Sequence, residues 1–251
     1  MPKRTDREKE VFLHVNYAHR GLHSADKSVP ENSLAAFRAA RDMGYGYELD
    51  VQFSKDSQVV VFHDDTLDRV TGVHGRVEDF TYEELLKMPL CGTEERIPLF
   101  TDVLSLIDGE GGPLIVELKM GRRNDELCAA TYEILKNYKG VYCIESFHPM
   151  IVNWFRKNAP EVFRGQLATQ YEYVRKEGKS PILSYILSHC LFSALNKPDF
   201  IAYHIGKRPE NILRMQKKGI LLFGWTPHDP SPEKDNDGMI FEFYRPGTKY
   251  E

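Results

Sequence analysis

The sequence has little of what marks a specialised environment. Its four cysteines, Cys91, Cys128, Cys143 and Cys190, lie far apart with no C-x-x-C pair. That spacing argues against a disulfide framework and a zinc cage and leaves them as reduced structural thiols. No apolar run reaches the ~20 residues that cross a bilayer. The longest, "ILSYILSHCLFSAL" from Ile182 to Leu195, is broken by serine and histidine. We read it as a buried or semi-buried helix, the alternative being an amphipathic lid or lipid-facing helix near a site entrance. An excess of one charge is also missing: the formal net charge is -4 and the lysines and arginines are scattered, so there is no nucleic-acid footprint. The opening "MPKRTDREKE" lacks the apolar core of a secretory signal and leads straight into an expected strand, and the expectation is a cytoplasmic protein. No internal repeat, low-complexity tract or sustained heptad is visible, and the oligomeric state stays open.

What is present suits one large domain. At 251 residues the chain has the ~250-residue length usual for a (β/α)₈ barrel. With 41% hydrophobic and 28% charged residues it has the composition of an ordinary globular protein with a sizeable core. Short apolar runs recur between helical patterns: "VNYAH", "YGYELDVQF", "VVVFHD", "PLIVELKM", "VYCIESF", "FRGQLAT", "DFIAYH", "ILLFGWT" and "GMIFEF". Strands alternating with helices predict a parallel sheet with crossover helices, and the number of runs suits a closed barrel. In "PENSLAAFRAARDMG", Asn32 or Ser33 offers an N-cap, Leu34, Phe37 and Ala40 repeat at helical spacing, and Gly44 is a stop. In "TYEELLKM", Thr81 and Glu84 have capping-box spacing. The stretch from Asp64 to Gly112 is too long for one crossover, so the reading is a single 1–251 domain with an excursion over approximately 64–112 that carries its own short helices.

Two strands have faces that differ. Along "YGYELDVQF" the residues Tyr45, Tyr47, Leu49, Val51 and Phe53 share one face, and Gly46, Glu48, Asp50 and Gln52 share the other. In "PLIVELKM", Leu114, Val116, Leu118 and Met120 oppose Ile115, Glu117 and Lys119. An antiparallel sheet with one wet face would explain such alternation. A parallel α/β sheet would not, because both its faces are normally covered. In a barrel, inward residues at strand ends open at the C-terminal rim, where active sites of this architecture sit. Glu48, Asp50 and Glu117 converging there would repel one another unless a cation neutralised them, and an all-oxygen set favours Mg²⁺ or Ca²⁺ over zinc. His19 and His63 each close a run and should project toward that rim, where an imidazole suits proton transfer near neutral pH. Arg20 and Lys119 add positive donors, and an arginine fork matches a pair of phosphate oxygens.

These residues fall within segments that resemble the glycerophosphodiester phosphodiesterase family. The matching segments are "HRG" (19–21), "PENS" (30–33), "ELDV" (48–51), "HDDTLDRVTG" (63–72), "IPLF" (97–100), "VELK" (116–119), "SF" (146–147), "WT" (225–226) and "DGMIFEF" (237–243). Their order and spacing extend from about residue 15 to the end of the chain. The resemblance implies a TIM barrel with a small insertion after the second strand. It also implies metal ligation by Glu48, Asp50 and Glu117, acid-base roles for His19 and His63, and phosphate contacts from Arg20 and Lys119. It further implies the activity: hydrolysis of glycerophosphodiesters, such as glycerophosphocholine or glycerophosphoethanolamine, to sn-glycerol 3-phosphate and an alcohol. The partner is thus a small molecule and the cofactor a divalent cation.

Other matching positions have two readings. Glu31 either faces the pocket or favours the start of the first helix; Asp64 either orients His63 or holds the following turn. Phe147 and Trp225 are candidate pocket walls or packing residues. One departure stands out: only ten residues, "PHDPSPEKDN", separate Thr226 from Asp237, and Pro227, Pro230 and Pro232 leave no room for a full helix. The last crossover is therefore expected to be shortened. Two rival functions remain: a lysophospholipase D-like enzyme that holds an acyl chain against Ile182–Leu195, and a phosphate-binding barrel without catalysis.

Overall fold

In the computed structural model, which describes residues 4–250, nine strands form one sheet. They are β1 (Asn16–Ala18), β2 (Gly46–Phe53), β3 (Val59–Val61), β4 (Leu114–Leu118), β5 (Tyr142–Ser146), β6 (Phe163–Ala168), β7 (Phe200–His204), β8 (Leu221–Trp225) and β9 (Gly238–Phe241). All but β3 are parallel and form a ring in the order β1-β2-β4-β5-β6-β7-β8-β9, closed where β9 pairs with β1. This is the expected TIM barrel. The alternation along β2 sorts as the sequence predicts: Tyr45, Tyr47, Leu49, Val51 and Phe53 join the core beneath the helices. The opposite face enters the barrel, where Tyr17, Ile115, Cys143, Phe163, Phe200, Phe223 and Ile240 fill the lower interior. Gly46 is required there, because a Cβ would lie 2.6 Å from the Tyr17 ring. The aromatic plug below and the carboxylates above leave the chemistry at the C-terminal ends of the strands.

Four features differ from the sequence reading. First, the N-terminal segment does not run straight into a strand. A short helix, Asp6–Glu10, is started by a Thr5–Glu8 capping box and delivers Phe12 to the barrel floor, stacked on Phe163 at 4.6 Å. Second, the "VVVFHD" run does not supply a barrel stave: β3 pairs antiparallel with β2, Val61 opposite Val51. The turn between them is closed by Ser54, whose hydroxyl accepts from the Gln58 N–H at 2.9 Å.

Third, the excursion therefore leaves the barrel at Ser54, ahead of Asp64, and has a small core of its own built on Val60, Phe62, Leu67, Val70, Val77, Leu85 and Ile97. The Phe100–Ile107 helix then packs on the main core through Phe100, Val103, Leu104 and Ile107. Fourth, the Ile182–Leu195 run is semi-buried, within the expectation, but it is not one helix. It forms Pro181–Ser188 and Ser193–Asn196, with Cys190 at φ +49° between them. The first of these buries Ser184 and Ser188 and leaves Ile182 75% and Tyr185 52% exposed. Residues four apart share a helix face, so the small serines seat this helix on the barrel and the large apolar residues fall elsewhere. As expected, the last crossover is short: a single 3₁₀ turn, Glu233–Asp235, stands where a full helix would lie. No helix among the described residues is long and apolar enough to cross a membrane.

Candidate active site

The end of β1 sets the first group. Arg20 has φ +52° and Gly21 φ +75°, a reversal that only glycine tolerates at the second position, where a Cβ would meet that of Ala36 at 2.8 Å. A bulky residue in the left-handed region is uncommon and tends to mark a functional site. Here the turn aims the Arg20 backbone N–H at Glu48 Oε2, 2.9 Å away. The guanidinium donates to Glu31 at 2.8 Å, and its buried Nε, 3.6 Å from Asp50, makes no hydrogen bond.

Glu48 and Asp50 come from β2 and Glu117 from β4, and oxygens of all three lie within 4.8 Å of one another. All three side chains are buried. Asn32, held at φ +54°, donates to Asp50 Oδ2 at 2.8 Å. Lys119 Nζ sits 2.8 Å from Glu117 and 3.3 Å from Asp50. Two unit charges 4 Å apart interact by about 4 kcal/mol at an effective dielectric of 20, so three ionised carboxylates cannot coexist here without cations. Glu48 is pushed well above the usual carboxylate range by burial and then by Asp50 and Glu117. Glu117 is raised by burial, with Lys119 opposing. Burial alone would also raise Asp50, but Lys119, His63 and Arg20 outweigh it and hold that carboxylate below its ordinary value. The donors are hard oxygens, and buried Asp50 Oδ1 has no hydrogen-bond partner. This set fits a divalent cation of the Mg²⁺ or Ca²⁺ kind.

The histidines reach the same place by different routes. His19 follows β1 directly, and its N–H donates to Phe241 O at 3.1 Å. His63 arrives on the return leg of the β2–β3 hairpin. The Phe62 N–H donates to Asp50 O at 3.0 Å, and Gln52 Nε2 donates to the carbonyls of Phe62 and Asp64. A strand outside the barrel therefore still delivers its terminal histidine beside Asp50. Each imidazole has a carboxylate on Nδ1: Glu242 at 3.0 Å for His19 and Asp64 at 2.6 Å for His63. Burial first, and the adjacent Arg20 second, lower His19 to about 4 against the pull of Glu242. It is uncharged at neutral pH and able to accept a proton.

The candidate pocket residues divide. Phe147 lines a cavity of about 620 Å³ together with Glu117, Lys119, Met120, Leu183 and Leu187. Trp225 meets the Phe147 ring edge-on at 5.8 Å and donates through Nε1 to Ala202 O. Glu31 instead serves the arginines, accepting from both Arg20 and Arg69. Sequence reasoning missed three residues. Glu242 lies inside the quoted "DGMIFEF" segment but carried no pattern that marked it, and His23 had no motif. Glu145, opposite Glu117 in the β4–β5 register, is buried and pushed well above its usual value by burial and then by Glu48. Its place in "VYCIESF", two residues from Cys143 on the inward face, was the available signal.

Comparison with known proteins places the chain among its relatives. Over 225 residues the chain is 33% identical to a glycerophosphodiester phosphodiesterase of Caldanaerobacter subterraneus subsp. tengcongensis, covering 83% of this chain and 84% of that one. Over 146 residues it is 37% identical to a lysophospholipase D of Rattus norvegicus, covering 53% of this chain and 44% of that protein. The fold superposes with a TM-score of 0.76 on an Oleispira antarctica phosphodiesterase in complex with its product sn-glycerol-3-phosphate, at 23% identity and with 93% and 94% of the two chains covered. The barrel and these relatives define a phosphoric diester hydrolase. The chain belongs to the glycerophosphoryl diester phosphodiesterase family, whose sequence model matches residues 19–242.

Proposed function

We propose that the protein hydrolyses glycerophosphodiesters, with glycerophosphocholine and glycerophosphoethanolamine as representative substrates, to sn-glycerol 3-phosphate and an alcohol. The observation that carries this reading is the convergence of two carboxylate-held histidines on three buried carboxylates whose oxygens lie within 4.8 Å of one another. Glu48, Asp50 and Glu117 would hold Mg²⁺ or Ca²⁺. Bound there, the cation offsets charge on the phosphodiester and acidifies a hydroxyl or water.

Arg20 and Lys119 supply the donors for the remaining phosphate oxygens. Arg20 has its buried Nε uncommitted, and burial works against the charge on Lys119 but Glu117 and Asp50 hold its pKa above the ordinary lysine value, so it stays cationic. One histidine takes the proton of the attacking oxygen as the new P–O bond forms; the other, protonated, gives its proton to the leaving alkoxide oxygen as the old P–O bond breaks, releasing the alcohol. Phe147 and Trp225 form an aromatic wall beside this point. We place the reaction in the cytoplasm, a setting in keeping with four cysteines that are all free thiols.

Release of sn-glycerol 3-phosphate from the two diesters, with Mg²⁺, with Ca²⁺ and with chelator, tests the proposal alongside His63→Ala. Metal-dependent release that disappears in the variant supports it; absence of release under either metal rejects it. A second reading, lysophospholipase D-like hydrolysis of a monoacyl glycerophosphodiester, has one observation in its favour. The cavity of about 620 Å³ that begins at Glu117 and Lys119 continues along Met120, Val174, Leu183, Leu187 and Phe192, an apolar lining suited to an acyl chain. Comparing glycerophosphocholine with its 1-acyl derivatives separates the two: preference rising with chain length favours the cavity's use, and indifference to length removes it.

A further inference from the structure

Glu242 lies directly beyond β9 and gathers histidines. One of its oxygens, Oε1, is 3.0 Å from His19 Nδ1 and 3.1 Å from His23 Nε2. The other, Oε2, is 3.5 Å from His228 Nε2. Its backbone is anchored by the shortened crossover, the Glu242 N–H donating to Pro227 O at 3.1 Å. Phe243, at φ +60°, turns its ring between two of the histidines, edge-on to His23 at 5.0 Å and to His228 at 5.6 Å. The carboxyl side chain is only 15% exposed. Burial would raise its pKa, but the hydrogen bonds from His19 and His23 hold it well below the usual carboxylate range.

An ionised carboxylate accepts hydrogen bonds and donates none. Both nitrogens that share Oε1 must therefore carry hydrogen. For His19 this places the proton on Nδ1 and, in the neutral ring, leaves the lone pair on Nε2. We propose that Glu242 is a positioning residue that fixes the tautomer and orientation of His19 so that Nε2 is the atom presented to the reacting phosphodiester, with His23 holding Glu242 in place. The inference rests on the phosphodiesterase reading for its kinetic consequence, but the tautomer itself does not depend on turnover. His63 cannot substitute for this arrangement, because its own Nδ1 is held by Asp64.

The test uses the whole chain loaded with Mg²⁺ and labelled with ¹⁵N-histidine, so that the protonated nitrogen of each ring is read directly by NMR. Wild type should show His19 as the Nδ1–H tautomer, and Glu242→Ala should lose that preference. Turnover of glycerophosphocholine should fall about 10²-fold or more in kcat, the scale of a misassigned or unoriented imidazole, while KM stays within about threefold. Glu242→Asp should recover part of the loss. Should Glu242→Ala fail to fold, the nearly isosteric Glu242→Gln takes its place, and unchanged thermal unfolding certifies it. Finding His19 as the Nε2–H tautomer in wild type, or a kcat within about threefold of wild type in a folded Glu242→Ala protein, overturns the proposal. A wild-type protein inert toward every diester overturns the phosphodiesterase reading, and the tautomer measurement then decides the hold of Glu242 alone.

Discussion

The mouth of the barrel holds two histidines, each gripped at Nδ1 by a carboxylate, and the grips are made from different materials. His63 is held at 2.6 Å by the next residue, Asp64. Arg69 clamps Asp64 from Nε and Nη2 and reaches on to Glu31, which also receives Arg20. That side is local, rich in paired charge, and open enough that the His63 side chain is 30% exposed. His19 is held at 3.0 Å by a residue 223 positions away. The partners around Glu242 are other histidines, and the His19 side chain is 14% exposed. One site is stiffened by ion pairs, the other by burial. Burial is what lowers His19 to about 4 and keeps it uncharged, whereas a ring of arginines and carboxylates does its work by fixing geometry near solvent.

The sharpest break of this comparison removes either ring. On the proposed reading, His19→Ala and His63→Ala each lose about 10²- to 10⁴-fold in kcat with unfolding curves like the wild type's. Full turnover in one variant would strike that histidine from the mechanism and leave the other as the sole acid-base group. Next in size is the acidic cluster that both histidines address. Glu48→Gln turns one of three clustered carboxylates into a neutral amide and should raise the cation concentration for half-maximal activity about tenfold or more. An unchanged requirement, measured by titrating Mg²⁺ and Ca²⁺ into metal-free protein, would take Glu48 out of the ligand set.

The same contrast explains how much of the site was legible. The β2 and β4 carboxylates follow from a period of two, since Glu48, Asp50 and Glu117 each oppose an apolar neighbour in sequence. The parallel barrel follows from apolar runs alternating with helical patterns, although the nine runs include one, "VVVFHD", that is not a stave. The His63–Asp64 grip is written in adjacent letters. The His19–Glu242 grip is not, because it depends on β1 and β9 meeting at the barrel seam, a pairing that only closure creates. β3 misled for a related reason: three valines in a row suit any buried strand, and nothing in them says which direction the strand runs. The Ile182–Leu195 run is half-buried, as a semi-buried reading allows, but its apolar letters did not show that it breaks at Cys190 or that the serines, small enough for close approach, take the buried face of its first helix.

A smaller effect is expected at Asp64. With His63 partly open to water, Asp64→Asn still offers an amide oxygen to the ring, and the loss of kcat should be about tenfold, the lower end for an orienting partner. A loss equal to that of His63→Ala would show that the local grip is as demanding as the distant one and would erase the asymmetry between the two sides.

The smallest expected signal is in stability, and it separates the two sides by pH. His19 titrates at about 4 in the folded chain, below the ~6.5 of an unperturbed histidine. The unfolded state therefore binds the proton first, and this contribution to stability is present above ~6.5 and lost as pH falls toward about 4. Glu31 reaches about 2 when folded, burial being outweighed by Arg69 and Arg20, against ~4.3 unfolded. Its contribution is intact above ~4.3 and is lost as pH falls toward about 2. Acid should thus loosen the β1–β9 side first and the Arg69 side afterwards. In urea unfolding between neutral pH and pH ~3, His19→Gln should flatten the upper part of the decline, with both pKa values as its bounds. Arg69→Ala should cost about 1 kcal/mol at neutral pH, no more, because Arg69 is 45% exposed and such pairs are screened. It should also soften the lower part of the decline and leave the upper part unchanged. If both variants altered the same part, burial and ion pairing would not be the separate devices that the geometry of the two histidines describes.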